Sequence, residues 1–229
     1  MTVQLVADDL SGASSHDILI GESNHRIANN LTLIAGLLRL QAADVAKAGR
    51  PFSAEEVCFL LEEVGGRIET VGRLHRILAD AGRGEGVDLQ RFLRDIAVAA
   101  VGSMSLAGDV TLGTVSSGVC AIPAHQALPI GFIIGELVTN AMKYSHPAGV
   151  RGQIELGCHP RPEGAILIQI ADDGVGLPED FDPRHDGGLG LRMVRMLSDQ
   201  LGASLNFEST SIGLTVRLLI PPARPISAE

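Results

Sequence analysis

The feature that most constrains this chain is the apolar spacing of its N-terminal part. Ile27, Leu31, Ile34, Leu38 and Gln41 recur at alternate steps of four and three, with Leu33, Leu37 and Leu40 widening the stripe. That period belongs to an amphipathic helix facing a bundle, and it predicts one long helix from about Ser15 to Ala48. Gly49, Arg50 and Pro51 stop it. Ser53 then heads S-A-E-E, a capping box in which Ser53 and Glu56 satisfy orphan amides reciprocally. A second helix follows to roughly Asp80, with Val57, Leu61, Val64, Ile68, Val71 and Leu78 in register. Two helices joined by a short turn form an antiparallel hairpin whose apolar stripe is too exposed to stand alone, so a four-helix bundle made by two chains is expected.

Ala81 to Gly86 is Gly-rich and polar and reads as a linker, which puts the domains at 15–82 and 86–222. Beyond it the texture changes. A helix is expected from Asp88 to about Ser103, a strand around Val110 to Thr114, and a helix from Pro123 to Tyr144. Strands follow at Gly152 to Cys158 and Ala165 to Ala171, then a Gly-rich loop and a helix from Leu189 to about Leu201. A hairpin pairs Ser204 to Glu208 with Leu214 to Ile220. The fold class is therefore α+β: a helical hairpin followed by an α/β sandwich.

Composition narrows the function classes. Eighteen Lys and Arg stand against 27 Asp and Glu, and a formal net charge of -9 offers no footprint for a nucleic-acid backbone. Cys58, Cys120 and Cys158 lie far apart, with neither disulfide-framework nor zinc spacing, which fits a reducing cytoplasm. No stretch approaches the ~20 apolar residues of a membrane span, and the N-terminus has no signal-peptide pattern. The histidines other than His25 lack metal-ligand spacing: His75 falls in the second helix's seam, and His16, His125, His146, His159 and His185 are scattered.

Three segments of the second domain carry chemistry. In G-E-L-V-T-N-A-M-K-Y, Glu136, Asn140 and Lys143 share one face of an otherwise apolar helix. An amide oxygen that can hold a divalent cation, beside an ammonium that can meet phosphate, suits a nucleotide. In A-D-D-G-V-G-L-P, Asp173 ends an apolar strand, and Gly174 and Gly176 let backbone approach a flat ligand closely; the carboxylate is suited to accept from an exocyclic amine. In G-G-L-G-L, Gly188, Leu189 and Gly190 open a helix whose amides and dipole face an anion. Taken singly, each has a plainer reading as a polar helix face, a hairpin turn or a loose glycine run.

Their order and company resemble the N, G1 and G2 boxes of the GHKL ATP-binding fold, shared by histidine kinases, gyrase-type topoisomerases and Hsp90-type chaperones. The resemblance implies ATP with Mg²⁺ carried on Asn140, adenine read by Asp173, and phosphates met by Gly188, Gly190 and Lys143. It also makes the segment from Leu177 to Asp186 the lid. Upstream, E-S-N-H-R-I-A-N-N-L places His25, Glu22 and Asn29 on outward positions of the first helix. This segment resembles the H-R-x-x-N-N phosphoacceptor box of sensor histidine kinases of the HWE-related group, and L-L-R-L-Q continues the likeness. Ala28 stands where that group commonly has Lys, Ser23 where it has an aliphatic residue, and Arg26 where larger histidine kinase classes have an acid. The W-x-E signature is absent, which favours a related non-HWE branch.

The resemblance implies a cytoplasmic two-component histidine kinase, homodimeric through the hairpin. His25 would accept the ATP γ-phosphoryl group and pass it to an aspartate of a response-regulator receiver domain. Glu22, one turn before His25, is the candidate base, and Asn29 is suited to orient a water for phosphatase activity on the regulator. The alternatives are a histidine phosphotransferase, or a regulator-binding scaffold with the same shape and no ATP-dependent activity. About twenty residues precede the phosphoacceptor region, too few for a sensor domain, so either a regulatory partner acts in trans or the chain is a fragment.

Overall fold

The computed structural model describes residues 31–80, 86–102, 110–145 and 151–222, and the chain divides into two compact units, Met1–Pro51 and Phe52–Glu229. In the first unit, α1 covers residues 31–48 and ends at Gly49, whose φ of 61° is the left-handed turn that closes a helix. Leu33, Leu37 and Gln41 are its buried positions, four residues apart. Leu31, Leu38 and Val45 are exposed, so the single seam expected from spacing resolves into two stripes.

The second unit opens with the expected capping box. Ser53 N–H donates to Glu56 Oε2 at 2.8 Å, and Glu56 N–H donates to Ser53 Oγ at 3.2 Å. With Glu55 and Glu56 in the first turn facing the positive dipole end, this starts α2 (Ala54–Asp80). Val64, Val71 and Leu74 are its buried apolar residues; Val57, Phe59, Leu61, Ile68 and His75 are exposed in the single chain.

The sheet runs through β2 (Val110–Ser116), β4 (Gly152–Pro160), β5 (Ile166–Asp172), β6 (Ser204–Thr210) and β7 (Gly213–Ile220), in the order β2-β4-β5-β7-β6. The β2/β4 pair is parallel and the others are antiparallel. A separate short ribbon pairs β1 (Val87–Asp88) with β3 (Ala121–Ile122). Asp88 Oδ1 accepts from the amides of Gln90 and Arg91 and caps α3 (Leu89–Gly102). With α4 (Ala124–Tyr144) and α5 (Leu189–Gln200), α3 covers one face of the sheet.

Period-two alternation sorts the strands. Ile154, Leu156 and Cys158 of β4, Ile168 and Ile170 of β5, and Val216, Leu218 and Ile220 of β7 are buried. On the opposite side of the sheet Arg217 donates to Gln169 and pairs with Glu208 across strands. The helical layer is closed by α4, whose Ile130, Phe132, Ile133, Ile134 and Val138 have no accessible surface.

On the far side of α3 and α4 lies α2. Gly131 marks the crossing: a side chain there would meet Leu74 of α2 at 2.8 Å and Phe92 of α3 at 2.9 Å. Helix axes approach this closely only where one surface is bare backbone. From α2 onward the observed elements match the expected ones to within a few residues; the first helix ends where expected, and its expected stretch from Ser15 to residue 30 lies outside the described residues. The ribbon β1/β3 and the parallel β2/β4 pairing are additions, since strands of two residues carry no periodicity. Residues 81–85 of the expected linker lie outside the described residues.

Candidate functional site

A cavity of about 890 Å³ opens among α2, α4, the loop after β5 and the N-terminus of α5. Its apolar wall includes Ile170, Phe207, Leu214 and Val216 of the sheet, with Leu137 of α4 and Phe181 of the following loop. A largely apolar pocket with a few convergent polar groups is the usual form of a small-molecule site.

The helical polar face is as expected: Glu136, Asn140 and Lys143 of α4 all line the cavity. Glu136 is 12% exposed and pairs with Arg67 of α2, Oε1 to Nε at 3.4 Å. Burial raises its carboxyl above the usual range, partly offset by the positive charges of Arg67 and Lys143 and reinforced by Glu63.

The loop after β5 gives a correction. Asp173 is exposed, and its Oδ1 accepts from the Gln153 amide at 2.7 Å along β4; it is not part of the cavity wall. Asp172 is in that wall. Its Oδ1 accepts from the amides of Gly174 at 3.0 Å and Leu214 at 3.4 Å. The reason is the pleat: Ile168, Ile170 and Asp172 lie on one face of β5, whereas Asp173 follows on the other side. That alternation was available in the sequence and identifies Asp172 without any structure. Counting D-x-G-x-G back from Gly174 and Gly176 gives the same residue.

Gly174 stands behind the wall. A side chain there would run into the backbone of Ser145, the C-cap of α4, and the Val175 amide donates to Ser145 O at 2.9 Å. The end of α4 and the loop after β5 are thereby one piece. Gly176 lines the cavity with φ of 72°, a conformation that favours glycine, and a Cβ there would strike Thr210 O.

At α5, Gly188 is the N-cap, and no side chain caps the helix. The first-turn amides thus have no side-chain cap, and Gly187, Gly188, Gly190 and Leu191 are wall residues of the cavity. Leu189 is a core side chain, 3% exposed, and contributes through its backbone alone. The segment Leu177–Asp186 is irregular. Arg195 of α5 donates to the carbonyls of Pro183 at 2.8 Å and Asp186 at 2.7 Å and ties its end down. Asp182 accepts from the Arg184 amide and contacts His185 Nδ1 at 2.9 Å, and these hydrogen bonds lower its carboxyl below the usual range.

Spacing alone did not reveal the α2 contribution. Glu62, Glu63, Gly66, Arg67, Thr70 and Arg73 also line the cavity. In sequence they read as an ordinary solvated helix face, and only docking of α2 on α4 brings them in. His25, Glu22 and Asn29 lie outside the described residues.

A deep apolar slot, a carboxylate at its wall, an amide and an ammonium on one helix face, and an uncapped helix N-terminus define a nucleotide-binding ATPase fold. Residues 125–224 match the family of histidine kinase-, DNA gyrase B- and HSP90-like ATPases. Residues 22–104 match the HisKA_2 histidine kinase family, so the chain joins a segment of that family to an ATPase domain.

Among relatives, a blue-light-activated histidine kinase 2 of Erythrobacter litoralis is 28% identical over 91% of this chain and 58% of its own length. The sensor histidine kinase PdtaS of Mycobacterium tuberculosis is 30% identical over 92% of this chain and 40% of its own. The chain thus spans about half the length of the curated relatives it matches. Among solved structures, the histidine kinase domain of a blue-light-activated kinase of Erythrobacter litoralis superposes with a TM-score of 0.63 at 25% identity, covering 90% of this chain and 94% of that one. No helix among the described residues is long and apolar enough to cross a membrane.

Proposed function

We propose that the chain is an ATP-dependent protein-histidine kinase that phosphorylates His25 and passes the phosphoryl group to an aspartate of a response-regulator receiver domain. The observation that carries this reading is the cavity, in which Asn140, Lys143, Asp172 and the uncapped α5 N-terminus converge on an apolar slot that fits a purine. Asp172 takes the adenine-reading role, accepting from the exocyclic amine, and the sheet residues Ile170 and Val216 face the ring. Gly188, Gly190 and Lys143 take the phosphates.

The donor set also suits a divalent cation: Asn140, a cavity-lining residue of α4, offers a hard amide oxygen. Mg²⁺ held there would neutralise charge on the transferring phosphoryl group. Phosphoryl transfer asks the protein mainly for positioning and charge stabilisation, and the residues that supply these are fixed groups on α4 and α5. His25 supplies the acceptor nitrogen, Glu22 accepts its proton, and Asn29 orients a water that hydrolyses the regulator's aspartyl phosphate to aspartate and inorganic phosphate.

Dimerisation through the hairpin is supported by what each helix leaves uncovered. Leu31, Leu38 and Val45 on α1, and Phe59, Leu61 and Ile68 on α2, are large apolar side chains in solvent, far more than a lone helix pair leaves open at no cost. The separated free cysteines fit a reducing compartment, the cytoplasm. The domain limits 15–82 and 86–222 are the proposed functional division; by compactness the first unit ends at Pro51 and α2 belongs to the same unit as the ATPase fold.

The test is equilibrium binding of ATP with and without Mg²⁺ by titration calorimetry. Micromolar-range, Mg²⁺-dependent binding is expected; no heat of binding under either condition would leave the phosphotransferase or scaffold reading in its place.

A further inference from the structure

A charged residue of the hairpin reaches the nucleotide site. Arg67 belongs to α2, yet its side chain is only 14% exposed and lines the cavity beside Glu136. Its guanidinium is poorly satisfied for so buried a group. Nη1 donates to Glu63 O at 3.0 Å and Glu63 Oε1 at 3.4 Å. Nε stands 3.4 Å from Glu136 Oε1 but makes no hydrogen bond with proper geometry, although it is cut off from solvent. A well-made Arg–carboxylate pair is bidentate, with two parallel bonds of about 2.7–2.9 Å. Leaving a buried donor of a charged group unmade is costly, so this pairing is a poor resting arrangement.

The position of the pair matters more than its strength. A Cβ on Gly190 would stand 3.0 Å from Arg67 Nη2 and overlap Glu136 Oε2. Gly190 is in the first turn of α5, whose uncapped amides form the anion-binding end of the cavity. The guanidinium therefore sits beside the first turn of α5, in a cavity wall that also includes Lys143. The other charged groups lining this region are Glu62, Glu63 and Arg73 of α2 and Glu136 of α4. An incoming polyphosphate thus meets three cations, Lys143, Arg67 and Arg73, of which Arg67 alone among the described residues holds a buried nitrogen, Nε, with no hydrogen-bond partner.

We propose that Arg67 is a specificity residue that reads the terminal phosphate of a nucleoside triphosphate. On binding, its guanidinium exchanges Glu136 for the γ-phosphate, so that ATP is held by α2 as well as by α4 and α5, while ADP is held by α4 and α5 alone. This rests on the nucleotide reading of the cavity and adds to it the means by which substrate is told from product. It also links the presence of a transferable phosphoryl group to the docking of α2 at the site.

The test compares affinities for ATP and ADP, both with Mg²⁺, in the whole chain and in Arg67→Gln and Arg67→Lys, with thermal melts as a check of folding. Arg67→Gln should weaken ATP about tenfold, the worth of one charge-assisted contact, and leave ADP within about twofold. Arg67→Lys keeps the charge without the fork and should weaken ATP about threefold. If Arg67→Gln does not fold, the ATP/ADP ratio of Arg67→Lys decides the matter. An equal loss for both nucleotides assigns Arg67 to packing and overturns the proposal, as does an unchanged ratio. A wild-type chain that binds neither nucleotide overturns the nucleotide reading itself, a result distinct from one that binds both with a ratio indifferent to Arg67.

Discussion

Exchange of one carboxylate oxygen for an amide nitrogen at the end of β5 separates two neighbouring aspartates. Asp172 is half-buried in the cavity wall, and Asp172→Asn leaves one oxygen able to keep the Gly174 and Leu214 amide bonds. What is lost is the negative charge offered to an exocyclic amine. A hydrogen bond to a charged group contributes about 1.5–3 kcal/mol, and each 1.4 kcal/mol is about tenfold, so ATP affinity should fall about 10- to 100-fold. Asp173→Asn keeps an acceptor for the Gln153 amide at an exposed position and should change ATP affinity by less than about twofold. The assay is competition between ATP and inosine triphosphate, which has a carbonyl where adenine has the amine. Wild-type protein and Asp173→Asn should prefer ATP by at least tenfold, and Asp172→Asn should lose most of that preference. A preference lost in Asp173→Asn and kept in Asp172→Asn would refute the assignment and with it the use of strand alternation to make it.

Three further outcomes follow from packing. Gly174→Ala drives a methyl into the backbone of Ser145, which cannot move as a side chain can, so it should cost more than about 2 kcal/mol in a denaturant melt and weaken ATP binding by parting the α4 end from the β5 loop. Native alkylation should modify exposed Cys58 quickly and spare buried Cys120 and Cys158 until the domain unfolds. Burial raises the Cys158 thiol well above its usual range, so the unfolded chain alone releases that proton. Its contribution is intact below about pH 8.5 and is lost as pH rises above it, at up to about 1.4 kcal/mol per pH unit. Cys158→Ala should flatten that slope in melts between about pH 8 and 10.

Much of the fold was legible because its elements are long and strongly periodic. The capping box at Ser53 and Glu56 forms as expected, and the α4 face bearing Glu136, Asn140 and Lys143 meets the cavity as spacing requires. What failed was finer. Asp172 and Asp173 differ in which side of β5 each occupies, a distinction of one residue that reverses the facing of a side chain. Leu31, Leu33, Leu37 and Leu38 on α1 are alike in hydrophobicity, so spacing predicts one seam and burial alone divides it into two stripes. Arg67 and its neighbours on α2 carried no local signal. A Glu63–Arg67 pair at i,i+4 is common on any solvated helix, and its meaning comes from a docking that depends on Gly131 and Leu74.

The central claim is that the ATP bound by the second domain phosphorylates the histidine of the first. It is tested most directly by incubating the chain with Mg²⁺ and γ-labelled ATP and measuring protein-bound label before and after mild acid. The account predicts label that is acid-labile and alkali-stable, absent in His25→Gln and transferable to a receiver domain. Acid-stable label, or label undiminished in His25→Gln, would contradict it.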